Sequence, residues 1–588
     1  MRIENARRLT GRGFFSPGPG AAVEVWLEGE DLAETRLRWH EEILGPLLAR
    51  IGLTAAPIWE HHRSDGFTTA VGAPIDRCLA LADALEWAGW RLAGQSELTL
   101  DEAVKVFEGS LAEQESPALL ALEATANAHG VAFLWDDDAV SLGLGRTAEV
   151  FAPRGLPEVQ AIDWTRYDRI PVGLVTGTNG KTTTTRMTAR ILTAAGHTVG
   201  ASSTDAIVIA GQTIESGDWT GPGAARKVLR NTQVTAAVLE TARGGLIRRG
   251  LAYDMADAAV VTNIGEDHFG DFGIRSLDDM ARVKATVWSG VRPGGKRIAN
   301  AGCAVTLGYL SRAEPGAIGG ADWVLFARDR RAQALLDHVA AGGEAWSVEG
   351  GALTRLRGGE AEPIVAVDAI PATFGGAAVH NVDNALAAAA VAHALGASAG
   401  SIRAGLESFG RRPDDNPGRL EVHDVAGVKV VLDFGHNPHG VQALAPMIAT
   451  LRQAAPGDRG HRGTDGPAGA SRLMVVTGQA GDRSDHDIFE LARAVIALGP
   501  ERVAVRAMRG YERGRADGEV EGVLAAALSS LGLPADAFMR VGGEVEALEV
   551  GLDWAQPGDV VLVLVHIERE AVREWLAGRS RERAAQGD

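Results

Sequence analysis

The stretch Gly173–Met187, GLVTGTNGKTTTTRM, joins an apolar strand to a helix through a turn holding two glycines and a lysine. A chain with this junction is drawn toward an open parallel sheet, because such a turn sets its N–H groups and a helix N-terminus at a strand's carboxyl end. Gly177 and Gly180 allow the sharp bend, and the backbone through Thr178, Asn179 and Thr183 would lie against phosphate oxygens. Lys181 would bridge the terminal phosphates, and the Thr182 hydroxyl would ligate Mg²⁺. Val175 stands where the general G-x-x-x-x-G-K-[ST] pattern has its first glycine.

The flanking sequence supports a multidomain α/β chain. Its 588 residues exceed what one core serves, and about 150 residues per domain suggests three or four. Residues 1–160 mix helical stretches with short strands, as in PIDRCLALADALEWAGWRLAG and AAVEVWL, and read as an α+β domain. Residues 165–415 alternate β-rich and helical runs (IPVGLVTG, TAAVLETA, DAAVVTNIG), the pattern of a central parallel-sheet ATPase domain. A second series (VKVVLDFG, SRLMVVTG, ERVAVRAM, DVVLVLV) predicts a Rossmann-like α/β domain over 416–588, entered through the turn-rich RRPDDNPGR. Ala455–Ser471 has too few large apolar residues to pack and reads as a loop.

Net charge is −18, which argues against general nucleic-acid binding but not against a small anionic ligand in a local pocket. Cys78 and Cys303 stand far apart without CxxC spacing, so neither a disulfide framework nor a structural zinc site is expected. No apolar run is long enough to span a bilayer and no secretory h-region is visible, so the expected location is the cytoplasm, away from membranes. Nothing in the sequence excludes a homo-oligomer.

Two further strand ends carry groups suited to a phosphate site. AAVLE ends at Glu240, a carboxylate able to hold Mg²⁺ directly or through water, and DAAVVTNIGEDH runs through Thr262 and Asn263 to His268. Alone, Glu240 is more often a solvated strand-end acid and His268 more often a satisfied polar residue; their order after a phosphate loop is what joins them.

Taken together, TGTNGKTTT, VLE, TNIGEDH, the VK at Lys284, HNVDNALAA, NPGRLE and LDFGHNP resemble, in order, the motifs of the Mur ligases, ATP-dependent amide-forming enzymes. GDWTGPGAARKVL, LETARGGLIRRGL, GQAGDRSDHDI and RGRADGEV resemble the versions in the Mur-like half of cyanophycin synthetase, over roughly residues 170–575. The resemblance implies an acyl phosphate made from a substrate carboxylate and ATP, then displaced by an amine. It further implies catalytic roles for Lys181, Glu240, His268 and Lys284. One Mg²⁺ would lie on Thr182 and Glu240, and a second metal on His268 and on Lys284 converted by CO₂ to a carbamate. Asn381 and Asn384 would lie near the adenine, while Arg419, Asp433, His436 and Asn437 would reach ribose and base. Gly302 and Cys303 in IANAGCA depart from the family's acidic residues there.

Residues 1–150 resemble the amino-terminal domain of cyanophycin synthetase more weakly, through HHRSDGF, GAPIDRCLALADAL and LGLGRTAEVF. His61, His62 and Arg63 read either as contacts for an anionic substrate or as solvated loop residues. The linker RGLPEVQAIDWTRYDR is too short to hold the ATP-grasp domain found there in that enzyme, so one amide-forming site is expected. Its partners would be a small-molecule or peptide carboxylate and an amino acid or other amine. The segment VRAMRGYERGRADGEV, with Arg506, Met508, Arg509, Tyr511 and Glu512, is poor in carboxylates before RGR, which argues against arginine as the amine. Two alternatives stand beside this reading: a cell-wall or folylpolyglutamate-type ligase, and a non-catalytic nucleotide-binding partner of a separate synthetase.

Overall fold

The computed structural model describes residues 1–267, 269–453 and 471–586. All but Ser471 of the Ala455–Ser471 loop expectation lies outside the described residues. The chain divides into two compact units, Met1–Gly265 with Phe269–Ile364 and Ala385–Gly405, and Glu266–His268 with Val365–Asn384 and Leu406–Asp588.

The first unit is built on an eleven-stranded sheet among the described residues. Its centre is parallel: Val172–Thr176 lies between Ala236–Glu240 and Ala256–Val261, followed outward by Val291–Asn300 and Trp323–Asp329. Val172–Thr176 and Ala236–Glu240 are buried at every residue, as expected of strands covered on both faces. Hairpins with antiparallel pairing extend the sheet at both ends, through Ala206–Ile209 with Gln212–Ser216 and Glu344–Glu349 with Ala352–Arg357.

The helix Lys181–Ala194 follows Gly180, whose φ of 81° makes the turn. Its threonine run has modest helix propensity; burial of Met187, Ile191 and Leu192 against the sheet holds it.

Residues 1–160 lie in the same unit. A four-stranded antiparallel sheet, Arg2–Leu9, Gly20–Trp26, Gly66–Gly72 and Ile58–Arg63, packs against the helix Cys78–Leu92 around Trp39, Phe67 and Leu85. Its other face contributes Leu9, Ala22 and Ala70, with Phe15 from the connection between the first two strands, to a buried cluster that runs on through Leu174, Leu239 and Val261.

The second unit carries a six-stranded sheet whose core, Val428–Asp433, Val560–Leu564, Leu473–Thr477, Arg502–Arg506 and Phe538–Val541, is parallel. Glu421–Val425 adds an antiparallel edge. No described helix is long and apolar enough to cross a membrane.

Candidate active site

At the carboxyl ends of the first unit's central strands the turn 177–183 is tied down from outside. Asn263 accepts from Asn179 N through Oδ1 at 3.0 Å and donates back to Asn179 O at 3.0 Å, while Thr262 Oγ1 donates to the same carbonyl at 2.7 Å. Thr178 Oγ1 and Gly265 exchange two further bonds of 3.2 and 3.0 Å. Gly177 has φ 156°, and a Cβ there would collide with Thr262 Oγ1, so only glycine fits. Lys181 Nζ rests on Thr178 O at 3.0 Å, within its own turn.

Glu240 closes the site. Its carboxylate is 2% exposed and accepts Thr182 Oγ1 at 2.8 Å, Thr204 Oγ1 at 2.7 Å and Thr204 N at 3.2 Å. A buried carboxylate met by hydroxyls and one N–H, with no cationic side chain among its described partners, is a costly arrangement that a divalent cation would relieve. The donor set fits Mg²⁺, which keeps waters and takes phosphate oxygens rather than an all-protein cage; no cluster of three His, Cys, Asp or Glu is present among the described residues. Beside Glu240 lies a small pocket lined by Thr220, Pro222, Leu239, Thr241, Gly245 and Tyr253.

Lys284 also belongs to this cluster. It lies on the helix Leu277–Ser289, is 4% exposed, and donates from Nζ to Gly177 O at 2.8 Å. His268 lies outside the described residues. Gly302 N donates to Asn300 Oδ1 at 2.7 Å while Asn300 Nδ2 reaches Thr262 O at 2.7 Å, so the departure at IANAGCA preserves a brace on the Thr262 strand end. Thr204, which sequence reasoning missed, follows the strand Val199–Ser202; the same strand-end rule that found Glu240 points to it.

The remaining expected residues lie in the second unit. Asn381 Nδ2 donates to Ala372 O at 2.8 Å and Asn384 Nδ2 to Asn381 Oδ1 at 3.1 Å. Asp433 accepts from Leu420 N and Gly435 N, each at 2.8 Å; burial pushes its carboxyl up, against the pull of His380, those N–H groups and Arg419. Arg419 stacks 4.8 Å from the Phe434 ring. Asn437 Oδ1 accepts from Gly440 N at 2.8 Å in the first turn of the helix Pro438–Gln453, and His436 Nε2 lies 3.4 Å from Asn437 Nδ2.

Arg506, in the segment read as poor in carboxylates, is 1% exposed and pairs with Glu544 at 2.9 Å. Glu544 in turn accepts the N–H groups of His566, Ile567 and Glu568 at 2.7, 3.0 and 2.8 Å. The carboxylate poverty of the Arg506 segment is therefore partly offset by an acid from another stretch of chain. Arg506 Nη2 also donates into His566 Nδ1 at 2.6 Å, and burial, with that guanidinium beside it, holds the imidazole well below the ordinary range. A ring neutral when folded but protonated near pH 6.5 when unfolded contributes stability that is complete above that pH and lost as pH falls below it. Urea unfolding is expected to lose stability between pH 6 and 5 with a slope approaching about 1.4 kcal/mol per pH unit from this one group. His566→Gln should remove that slope; an unchanged slope would assign it to other groups.

Residues 175–392 match the Mur ligase middle domain. The chain is similar to cyanophycin synthetase of Crocosphaera subtropica, 33% identical over 67% of this chain and 42% of that one, and to that of a Synechocystis species, 33% identical over 69% and 43%. It thus spans about two fifths of the length of these relatives. The UDP-N-acetylmuramoyl-L-alanyl-D-glutamate–2,6-diaminopimelate ligase of Geobacter metallireducens is 27% identical over 74% of this chain and 78% of its own. Among solved structures, E. coli FolC in complex with DHPP and ADP aligns with a TM-score of 0.49 at 20% identity, covering 70% of this chain and 89% of that one.

Proposed function

We propose that the chain, whose residues 175–392 match the Mur ligase middle domain, is an ATP-dependent carboxylate–amine ligase of the Mur superfamily. In this reading a substrate carboxylate oxygen attacks the γ-phosphorus as the bond to ADP breaks. An amine nitrogen then attacks the acyl carbon, loses a proton, and inorganic phosphate leaves, forming a peptide or isopeptide bond.

The observation that carries the reading is the Glu240 carboxylate, buried beside the phosphate turn between two threonine hydroxyls, with no cationic side chain among its described partners. Mg²⁺ held by Thr182 and Glu240 would offset the charge gathering on the transferring phosphoryl group. The chain's own part is positional. The 177–183 turn, fixed by Thr262 and Asn263, presents N–H groups to phosphate oxygens, and Lys181 extends from Thr178 O to the terminal phosphate. Lys284, as a carbamate, and His268 would hold a second metal. Asn381, Asn384, Arg419, Asp433, His436 and Asn437 would serve adenine and ribose. A reducing, cytoplasmic setting agrees with the two free cysteines.

The test is ATP-dependent phosphate release across a panel of amino acids and short peptides, with the products read by mass spectrometry. A product bearing a new amide, with an amine other than arginine preferred, is expected. A clear preference for arginine would overturn the amine assignment, and absence of ADP under every mixture would favour the non-catalytic alternative.

A further inference from the structure

Residues 1–160 do more than share a core with the phosphate-loop sheet. Arg63, at the end of the strand Ile58–Arg63, is 7% exposed, donating from Nη1 to Thr68 Oγ1 at 2.8 Å and from Nη2 to Val25 O at 3.1 Å. Its guanidinium stacks 4.1 Å from the Trp26 ring, and its stem lies so close to Gly273 that a Cβ there would collide with Arg63 Cδ. Gly273 accordingly has φ 73°, and its neighbour Phe272, not a glycine, also takes the left-handed region at φ 54°. That conformation is unfavourable for a side chain unless surroundings impose it. Here the Phe272 ring lies between the guanidinium groups of Arg7, 5.6 Å away, and Arg248, 5.1 Å away. Two residues on, Arg275 pairs with Asp65 in the hairpin turn that follows Arg63.

The gripped segment leads straight into the Lys284 helix. Ser276 caps it, with Asp279 N donating to Ser276 Oγ at 3.0 Å, and two residues before Lys284 the Arg282 guanidinium stacks 5.3 Å from Phe14. His61, flanked by Phe14 and Phe15 at 5.1 and 5.9 Å, backs that contact. His61 and Arg63 therefore face the protein's own aromatic and glycine neighbours.

We propose that the N-terminal sheet is a positioning clamp: through Arg63, Asp65 and Phe14 it fixes residues 269–276 and the following helix, and so sets Lys284 against Gly177 of the phosphate turn. Arg63 is a positioning residue acting through Lys284, and the inference rests on the ligase reading for its catalytic meaning. A rigid helix held at its start and its middle has little freedom to withdraw Lys284 Nζ from Gly177 O, 2.8 Å away. Released from the clamp, the turn loses one of its external ties.

Removing Arg63 deletes a buried side chain and threatens the fold, and Asp65 also faces Arg63 at 3.6 Å, so the exposed Arg275 supplies the test. Arg275→Asp, Arg275→Ala and the conservative Arg275→Lys are compared in the full chain by hydrogen exchange without nucleotide and by calorimetric binding of Mg·ADP. Arg275→Asp and Arg275→Ala are each expected to speed exchange about threefold or more at both 269–284 and 177–183. Each should also weaken ADP about fivefold, with Arg275→Lys staying close to the parent in both. Faster exchange confined to 269–276, no change at all, or an Arg275→Lys chain no better than Arg275→Ala would overturn the clamp. The exchange arm needs no nucleotide, so it decides the clamp even in a chain that binds no ADP, the result that would instead count against the ligase reading.

Discussion

Glu240→Gln is expected to lower ATP-dependent phosphate release by about a thousandfold or more, roughly 4 kcal/mol in the transition state. The substitution keeps the side chain's shape and replaces only its charge. Thr182 and Thr204 can turn their hydroxyls to meet an amide, so the thermal midpoint should stay close to that of the parent chain. What the variant loses is the anion that draws a divalent cation to the phosphoryl group, so Mg²⁺ dependence should weaken together with rate. Activity within tenfold of the parent would remove Glu240 from the chemistry and leave it as a strand-end acid satisfied by its threonines.

Lys284→Ala carries the second large effect, again a fall of about a thousandfold, and it is the more discriminating because rescue separates two explanations. As an amine, Lys284 ties the helix Leu277–Ser289 to Gly177 O. As a carbamate, it supplies an anionic oxygen at a position where an ammonium would repel metal. A short carboxylic acid such as acetate, diffusing into the space left by the side chain, can replace the oxygen but not the tie. Partial recovery with acetate is therefore expected. Activity lost without recovery would assign Lys284 to its contacts as an amine, and full activity in the variant would sink both roles.

The parts of the site written in contiguous sequence were legible before the structure. A strand, two glycines, Lys181 and a helix are a local pattern, and Glu240 follows from the same rule applied to the neighbouring strand. Thr204 was missed because a threonine after a short strand is commonplace until pairing sets it beside Glu240; the parallel register of Ala236–Glu240 against Val199–Ser202 does that. The ion pair of Arg506 was hidden for a related reason. Its partner Glu544 begins a helix 38 residues later, and no local periodicity announces a pairing formed across parallel strands. The outer strands of the large sheet were not read either, since half-exposed segments such as Glu360–Ala366 lack the continuous apolar run that marks a central strand. His61 and Arg63 were left between substrate contact and solvated loop; burial against Phe14, Trp26 and Gly273 gives them structural neighbours that sequence distance hid.

The contact between Gly177 and Thr262 has a consequence for how such a chain can change over generations. A side chain at position 177 needs the space held by the Thr262 hydroxyl, so room appears only if position 262 shrinks first. Shrinking it deletes the bond from that hydroxyl to Asn179 O and loosens the turn before anything is gained. Each single step is a loss, so the two positions are locked as a pair, and drift elsewhere in the sheet leaves them behind.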